Sequence, residues 1–375
     1  MALVVAAPAV VHATPPPPDI PRTHAFKATT PEEAHRWQEE SRRRLFELLK
    51  IETLRKQLRP DPLGPSTLPL AYRQYYGIDT GHYHFTSFAF RVTPNRLGMA
   101  VVSIPHGEGP FPAVVCVHGH HSNRDSVHSR ASNYQGFASV LAESGYVTIS
   151  ADVGQHELFE PQHTLMGEWI WTLMRAVDVL QSMDRVDPTR LAVAGLSLGG
   201  ELAMWLAALD LRIRAAVVAG WLASTDDLER GTHCPCWNFE GFTDAFDFPD
   251  VFTLIAPRPL LLQHGERDPE FSFTEGLTTY QRIEAGYEVR GSKERLQLQV
   301  HPGGHVFEPT EAKLFLDTVL NVEPTGREAI SNRLPEDASP PFWLFFALGA
   351  ISIVSLSHSL LLHRRLHSFR MSNRR

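Results

Sequence analysis

The sequence predicts an α/β domain with a mostly parallel central sheet and helices on both faces. Three observations carry this. Short apolar runs at residues 111–117, 191–194 and 213–219 read as strands buried on both faces. Segments of helical character separate such runs, and strand–helix alternation is how a parallel sheet is connected. Between the run at 191–194 and a helical segment at 201–209 stands Gly195-Leu196-Ser197-Leu198-Gly199, a G-x-S-x-G match in a strand–turn–helix context. The 375 residues, 43% of them hydrophobic, suffice for one large domain with additions at both ends.

The elements follow in chain order. Residues 1–11 are apolar, and Val11-His12-Ala13 resembles a small-residue cleavage site, although no basic stretch precedes it. The segment reads either as an export signal or as an apolar tail. Residues 15–18 are four prolines, so 1–29 is assigned as an apolar N-terminus and linker. Thr30-Pro31-Glu32-Glu33 has the form of a capping box with proline at the first helical position. It predicts a helical extension to about residue 54, with Arg42, Arg43 and Arg44 on a solvated face. The main domain is expected over 30–322. Strands at 83–92 and 99–104 begin the sheet antiparallel. A turn at 107–112 leads into the strand 111–117, which ends in His118-Gly119-His120-His121. A helix at 132–144, a strand at 146–153 and a helix at 169–183 follow. Asp187-Pro188 is read as closing that helix before the serine strand. The segment 221–250 breaks the rhythm and reads as a loop-rich cap whose aromatics, Trp237, Phe239, Phe242, Phe246 and Phe248, shape a pocket. The remaining expectations are a strand at 258–263, a helix at 271–285, a strand at 295–300 and a helix at 310–320.

Three side chains on loops after strands then stand in the order Ser197, Asp268, His305. A serine hydroxyl is a poor nucleophile until a base takes its proton. An imidazole titrates near neutrality and can do so, and a carboxylate fixes its tautomer and stabilises the imidazolium. Parallel strands bring their C-terminal loops together, so the three need not be neighbours in sequence. His301 competes with His305 as base, and Glu266 with Asp268 as acid. His305 follows a glycine turn and Asp268 precedes a proline, which favours the named pair. The backbone N–H groups of His120 and Leu198 are the expected oxyanion donors, each worth roughly 3–4 kcal/mol to a developing oxyanion. His121, Trp221 and Trp237 are expected to line the substrate pocket.

Taken together, Gly195-Leu196-Ser197-Leu198-Gly199-Gly200, His118-Gly119-His120, His264-Gly265-Glu266-Arg267-Asp268-Pro269 and Gly303-Gly304-His305 resemble the α/β-hydrolase superfamily. Trp37…Leu45-Phe46-Glu47-Leu48-Leu49, Asp247-Phe248-Pro249-Asp250 and Ile255-Ala256-Pro257-Arg258-Pro259-Leu260-Leu261 resemble its dienelactone-hydrolase and acetyl-xylan-esterase-like branch. The resemblance spans about residues 31–321. It implies ester hydrolysis through an acyl-enzyme, without a cofactor, on small acyl or carbohydrate esters. Ser197 stands where dienelactone hydrolases carry cysteine, which points towards an esterase. The Gly-x-Ser-Gln-Gly-Gly box of better-defined acetyl-xylan esterases is absent. Two other readings are a serine peptidase of the same fold and a membrane-tethered binding protein without catalysis.

A net charge of −7 argues against a general nucleic-acid partner. Three cysteines are too few for a disulfide framework. Cys116 reads as a buried small hydrophobe, while Cys234 and Cys236 are either bonded or reduced. His118, His120, His121 and His128 are dense but lack a metal-ligand spacing such as H-E-x-x-H, and His233-Cys234-Pro235-Cys236 lacks a second pair. No metal site is expected; the histidines are assigned to the pocket rim. Residues 323–341 read as a linker. Residues 342–362, 21 without Asp, Glu, Lys or Arg, have the length of a membrane span, and 363–375 form a basic tail. The expectation is a membrane anchor with the hydrolase domain exported; the alternative is a cytoplasmic protein.

Overall fold

The computed structural model describes residues 22–321. The expected signal at 1–11, the span at 342–362 and the basic tail lie outside the described residues. Among the described residues, no helix is long and apolar enough to cross a membrane.

The strands are Arg73–Asp79 (β1), Tyr83–Arg91 (β2), Leu97–Pro105 (β3), Phe111–Val117 (β4), Val147–Ala151 (β5), Val186–Leu196 (β6), Ala215–Ala219 (β7), Leu260–Gly265 (β8) and Leu296–His301 (β9). They form one sheet in the order β1-β2-β3-β5-β4-β6-β7-β8-β9. Pairings from β1 through β3 to β5 are antiparallel, and those from β5 to β9 are parallel. The helices are Pro31–Leu48 (α1), Glu52–Leu58 (α2), Phe137–Glu143 (α3), Leu165–Gln181 (α4), Leu198–Leu209 (α5), Thr225–Arg230 (α6), Phe242–Ala245 (α7), Phe248–Thr253 (α8), Phe273–Val289 (α9) and Pro309–Val319 (α10).

The continuous apolar runs arise because alternate residues serve two cores. Ala113, Val115 and Val117 of β4 pack with α4 and α5 on one face. Val114 and Cys116 pack with α3 and α10 on the other. The same split divides Leu191 and Val193 from Ala192, Ala194 and Leu196 in β6. A strand covered on both sides has no polar face to alternate with.

Several expectations are corrected. The first helix does not run to residue 54. Lys50 takes φ +58 and splits it into α1 and α2. The cause is tertiary: the Thr164 N–H and hydroxyl take the Leu49 carbonyl at 3.3 and 3.0 Å, at the start of α4. Arg42 is not on a solvated face, since it donates to the Ala208 and Leu254 carbonyls at 2.9 and 2.6 Å. β1 went unread because all seven residues are exposed, leaving no buried alternation. The helix expected at 132–144 shortens to α3, and Asp187-Pro188 lies inside β6 rather than ending a helix. Residues 22–29, read as linker, are tied to the domain. Thr23 and His24 donate backbone bonds to Asp244 and Ala245, and Arg22 pairs with Asp247 at 3.0 Å.

The segment after β7 is the largest departure. It folds into α6, α7 and α8, with Ser224 and Asp247 closing capping boxes. Its aromatics turn inward. Phe242, Phe246 and Phe248 are fully buried, and Phe242 and Phe239 pack on Trp205 of α5 with ring centroids 5.4 and 5.9 Å away. Each buried phenylalanine contributes roughly 1.5–3 kcal/mol. This core holds the segment in place over α5.

Candidate active site

Ser197 caps α5 with φ 64 and ψ −131, a positive-φ conformation rare for a residue with a Cβ. Close packing forces it. A Cβ on Gly195 would lie 2.0 Å from the Gly199 carbonyl oxygen, and one on Gly199 would lie 2.2 Å from that of Val117. The Ser197 N–H is bound to the Ala219 carbonyl at 3.0 Å. Backbone strain of this kind costs about 1–3 kcal/mol and persists only where the surroundings impose it.

The parallel register assembles the rest. Val117 pairs with Gly195, so the loop after β4 rises beside Ser197. Gly265 pairs with His301, which brings the loops bearing Asp268 and His305 together. A Cβ on Gly265 would meet the Gly304 oxygen at 2.2 Å. His305 Nδ1 lies 2.8 Å from Asp268 Oδ2. A carboxylate only accepts, so Nδ1 carries the proton and Nε2 is left as the base. His305 Nε2 is buried and has no hydrogen-bond partner among the described residues. The ring reaches its place through the missing side chain of Gly220 (φ +54), where a Cβ would be 2.8 Å from Cε1. Phe271 stacks on the ring at 5.8 Å. Burial of Asp268 raises its pKa, but the His305 hydrogen bond and charge, with the N–H groups of Glu270 and Phe271, outweigh that and lower it. The competing candidates are elsewhere. Glu266 is exposed, and His301 Nδ1 accepts the Gly303 N–H at 3.2 Å.

The loop after β4 is held from both sides. His118 is buried, its Nε2 accepting the Val153 N–H at 3.3 Å and its Nδ1 lying 3.0 Å from the Gly119 oxygen. The Gly119 N–H donates to the Tyr134 hydroxyl at 2.6 Å. Leu198 is the first residue of α5, so its N–H has no acceptor within the helix and sits at the positive end of the helix dipole. Burial, with His156 and His121 beside it, pushes the His120 imidazole down to about 4.

Ser197 and His305 line one cavity of about 510 Å3 together with His120, His121, Tyr134 and Trp221. Ser122, Asn133, Thr232 and Glu270 add polar groups, and Phe271 an apolar wall. His121 and Trp221 line this cavity. Trp237 does not: it is 4% exposed and packs edge-on against Phe248 at 5.9 Å. Tyr134 and Phe271 were missed because they were expected inside the helices 132–144 and 271–285, whereas they lie in the turns before α3 and α9. The histidine expectations also divide. His118 and His128 are held in the scaffold, the latter 3.1 Å from the Ser139 hydroxyl. His120 instead meets His156, Cys234 and Cys236, with one ligand-type atom of each within 4.8 Å of the others. The sequence reading expected no metal site, and it did not foresee this cluster because three distant segments supply its residues. The cysteines are free.

The sheet order, the strained serine turn and the paired loops are those of the α/β-hydrolase fold, which the chain shares with solved esterase structures. A family model described as "Glucuronyl esterase, fungi" matches residues 96–220, about a third of the chain. "Putative hydrolase YtaP" of Bacillus subtilis is 27% identical over 71% of this chain and 93% of its own length. A "putative acetyl xylan esterase" of Bacteroides fragilis superposes with TM-score 0.60 at 18% identity, over 75% of this chain and 78% of that one. A glucuronoyl esterase of Solibacter usitatus does so with TM-score 0.53 at 17% identity, over 70% and 91%.

Proposed function

We propose that the protein is a serine ester hydrolase acting on carbohydrate esters. The observation that carries the reaction type is the 2.8 Å Asp268–His305 contact at a cavity also lined by the strained Ser197. His305 Nε2 takes the Ser197 proton as Oγ bonds to the ester carbonyl carbon. The charge that develops on the carbonyl oxygen is held by the N–H groups of His120 and Leu198. Collapse expels the alcohol, which leaves with the proton from His305. A water then repeats the sequence on the acyl-enzyme and releases the acid. Asp268 holds the Nδ1–H tautomer throughout.

The substrate class rests on the cavity's many polar walls and on the glucuronyl esterase match and the xylan and glucuronoyl esterase neighbours. The test is a panel of p-nitrophenyl acetate, acetylated xylo-oligosaccharides, glucuronate esters and a peptide anilide, with fluorophosphonate labelling. Ser197→Ala is expected to abolish turnover and labelling while circular dichroism is unchanged. Wild-type turnover in that variant would overturn the assignment.

On composition alone, we infer that 342–362 anchors the chain in a membrane, with the basic tail inside and the hydrolase domain outside. The full chain should sediment with membranes and a chain ending at residue 341 should not. Equal partitioning of the two refutes the anchor.

A further inference from the structure

Three clusters of potential ligands occur among the described residues, and two are accounted for by the fold. Asp79, His84 and His106 are fully on the surface. Glu160 and Glu168 already accept from Thr93, Arg96 and the backbone N–H groups of Phe159 and Glu160. The third cluster stands apart.

We propose that His120, His156, Cys234 and Cys236 bind a zinc ion that clasps the segment after β7 to the oxyanion loop. His120 Nε2 lies 3.1 Å from Cys236 Sγ, and His156 Nε2 lies 3.4 Å from Cys234 Sγ. All four ligand-type atoms fall within 4.8 Å of one another. A tetrahedral zinc with bonds of about 2.3 Å to sulfur and about 2.0 Å to nitrogen sets its ligands roughly 3.3–3.8 Å apart. The existing spacing therefore needs only small adjustment. Two thiolates and two neutral imidazoles are a closed structural zinc set, and the two negative charges balance the ion. Binding releases the two thiol protons to solvent. His156 is exposed, which leaves a path for the metal.

One further feature fits this role. His120 carries the backbone N–H assigned to the oxyanion. Ligation of its ring ties that donor to the cap and to the loop after β5.

The test is elemental analysis of the full chain, purified without chelator or added metal. About one zinc per chain is expected, falling to background in the Cys234→Ser/Cys236→Ser variant. Cobalt added to the demetallated wild type should give a thiolate-to-cobalt band in the near ultraviolet and intense tetrahedral visible bands. Should the double variant fail to fold, His156→Ala is to be measured, with a metal affinity at least about tenfold weaker. Wild-type protein with background metal and no thiolate band on cobalt addition would overturn the site. So would an intact mass two daltons low from a Cys234–Cys236 disulfide, or full zinc retention in the double variant. None of these readings depends on ester hydrolysis.

Discussion

The Asp268 carboxylate accepts a 2.8 Å hydrogen bond from His305 Nδ1 across 37 residues of chain. The pair joins the loops after β8 and β9, and it leaves one imidazole nitrogen unpartnered at the cavity. If the pair sets the tautomer, Asp268→Asn should lower kcat for p-nitrophenyl acetate by about 10^3- to 10^4-fold with KM little changed. A loss under about tenfold would point to another carboxylate as the orienting group.

Tyr134 holds the loop after β4 and also lines the cavity. Its hydroxyl is the acceptor for the Gly119 N–H, one residue before the His120 N–H proposed as an oxyanion donor. Tyr134→Phe leaves that buried N–H without its partner, at a cost of about 1–3 kcal/mol. The cost should lower the melting temperature, and the loosened loop should lower kcat roughly tenfold or more. Steady-state kinetics alongside a melting curve separates the two. Unchanged kcat would mean the loop holds its shape without the hydroxyl.

Gly199 has no room for a methyl group, since a Cβ there lies 2.2 Å from the Val117 oxygen and 2.8 Å from that of His118. Both atoms are backbone and cannot rotate away. Gly199→Ala should therefore destabilise the domain by about 1–3 kcal/mol or more and remove fluorophosphonate labelling. Denaturant unfolding and labelling on the same sample test this. A variant with wild-type stability would show that the elbow relaxes more easily than its packing implies.

Asp210 gives a prediction about pH. It is fully buried and held by Arg212 at 2.6 Å and Arg59 at 2.9 Å. Burial alone raises its pKa, but the two guanidinium groups outweigh that and bring it from 3.8 to about 2. Between these values the unfolded chain binds the proton and the folded chain does not. The contribution is therefore complete above the unfolded value and lost as pH falls through about 2. Asp210→Asn should cost about 3–5 kcal/mol at pH 7, because it leaves buried cations unpaired. The gap from wild type should narrow between pH 4 and pH 2. Urea titrations at pH 7 and pH 3 measure it, and a gap that stays constant would refute the pairing as its source.

Much of the fold could be read locally. The strands β4, β6 and β7 announced themselves because residues facing two cores are nearly all apolar, as Val114 and Val115 show on opposite faces. The serine turn was legible because its glycines are demanded by contacts within a few residues, such as Gly195 against Gly199. β1 was not legible, because its exposed residues answer to no core. The long first helix failed for a different reason: the bond that ends it comes from Thr164, over a hundred residues away.

The amino-acid order by itself determined the alternation of strands and helices and the sequence of reactive loops, Ser197 before Asp268 before His305. Those properties follow from short-range patterns of burial and turn chemistry. Which side chains then met was decided only by the tertiary structure. Trp237 went into the core and Tyr134 came under the loop after β4. His120 found His156 and two cysteines of the cap. The physical reason is register: stacking parallel strands brings together loops far apart in sequence, and the path of the segment after β7 depends on the core it packs against.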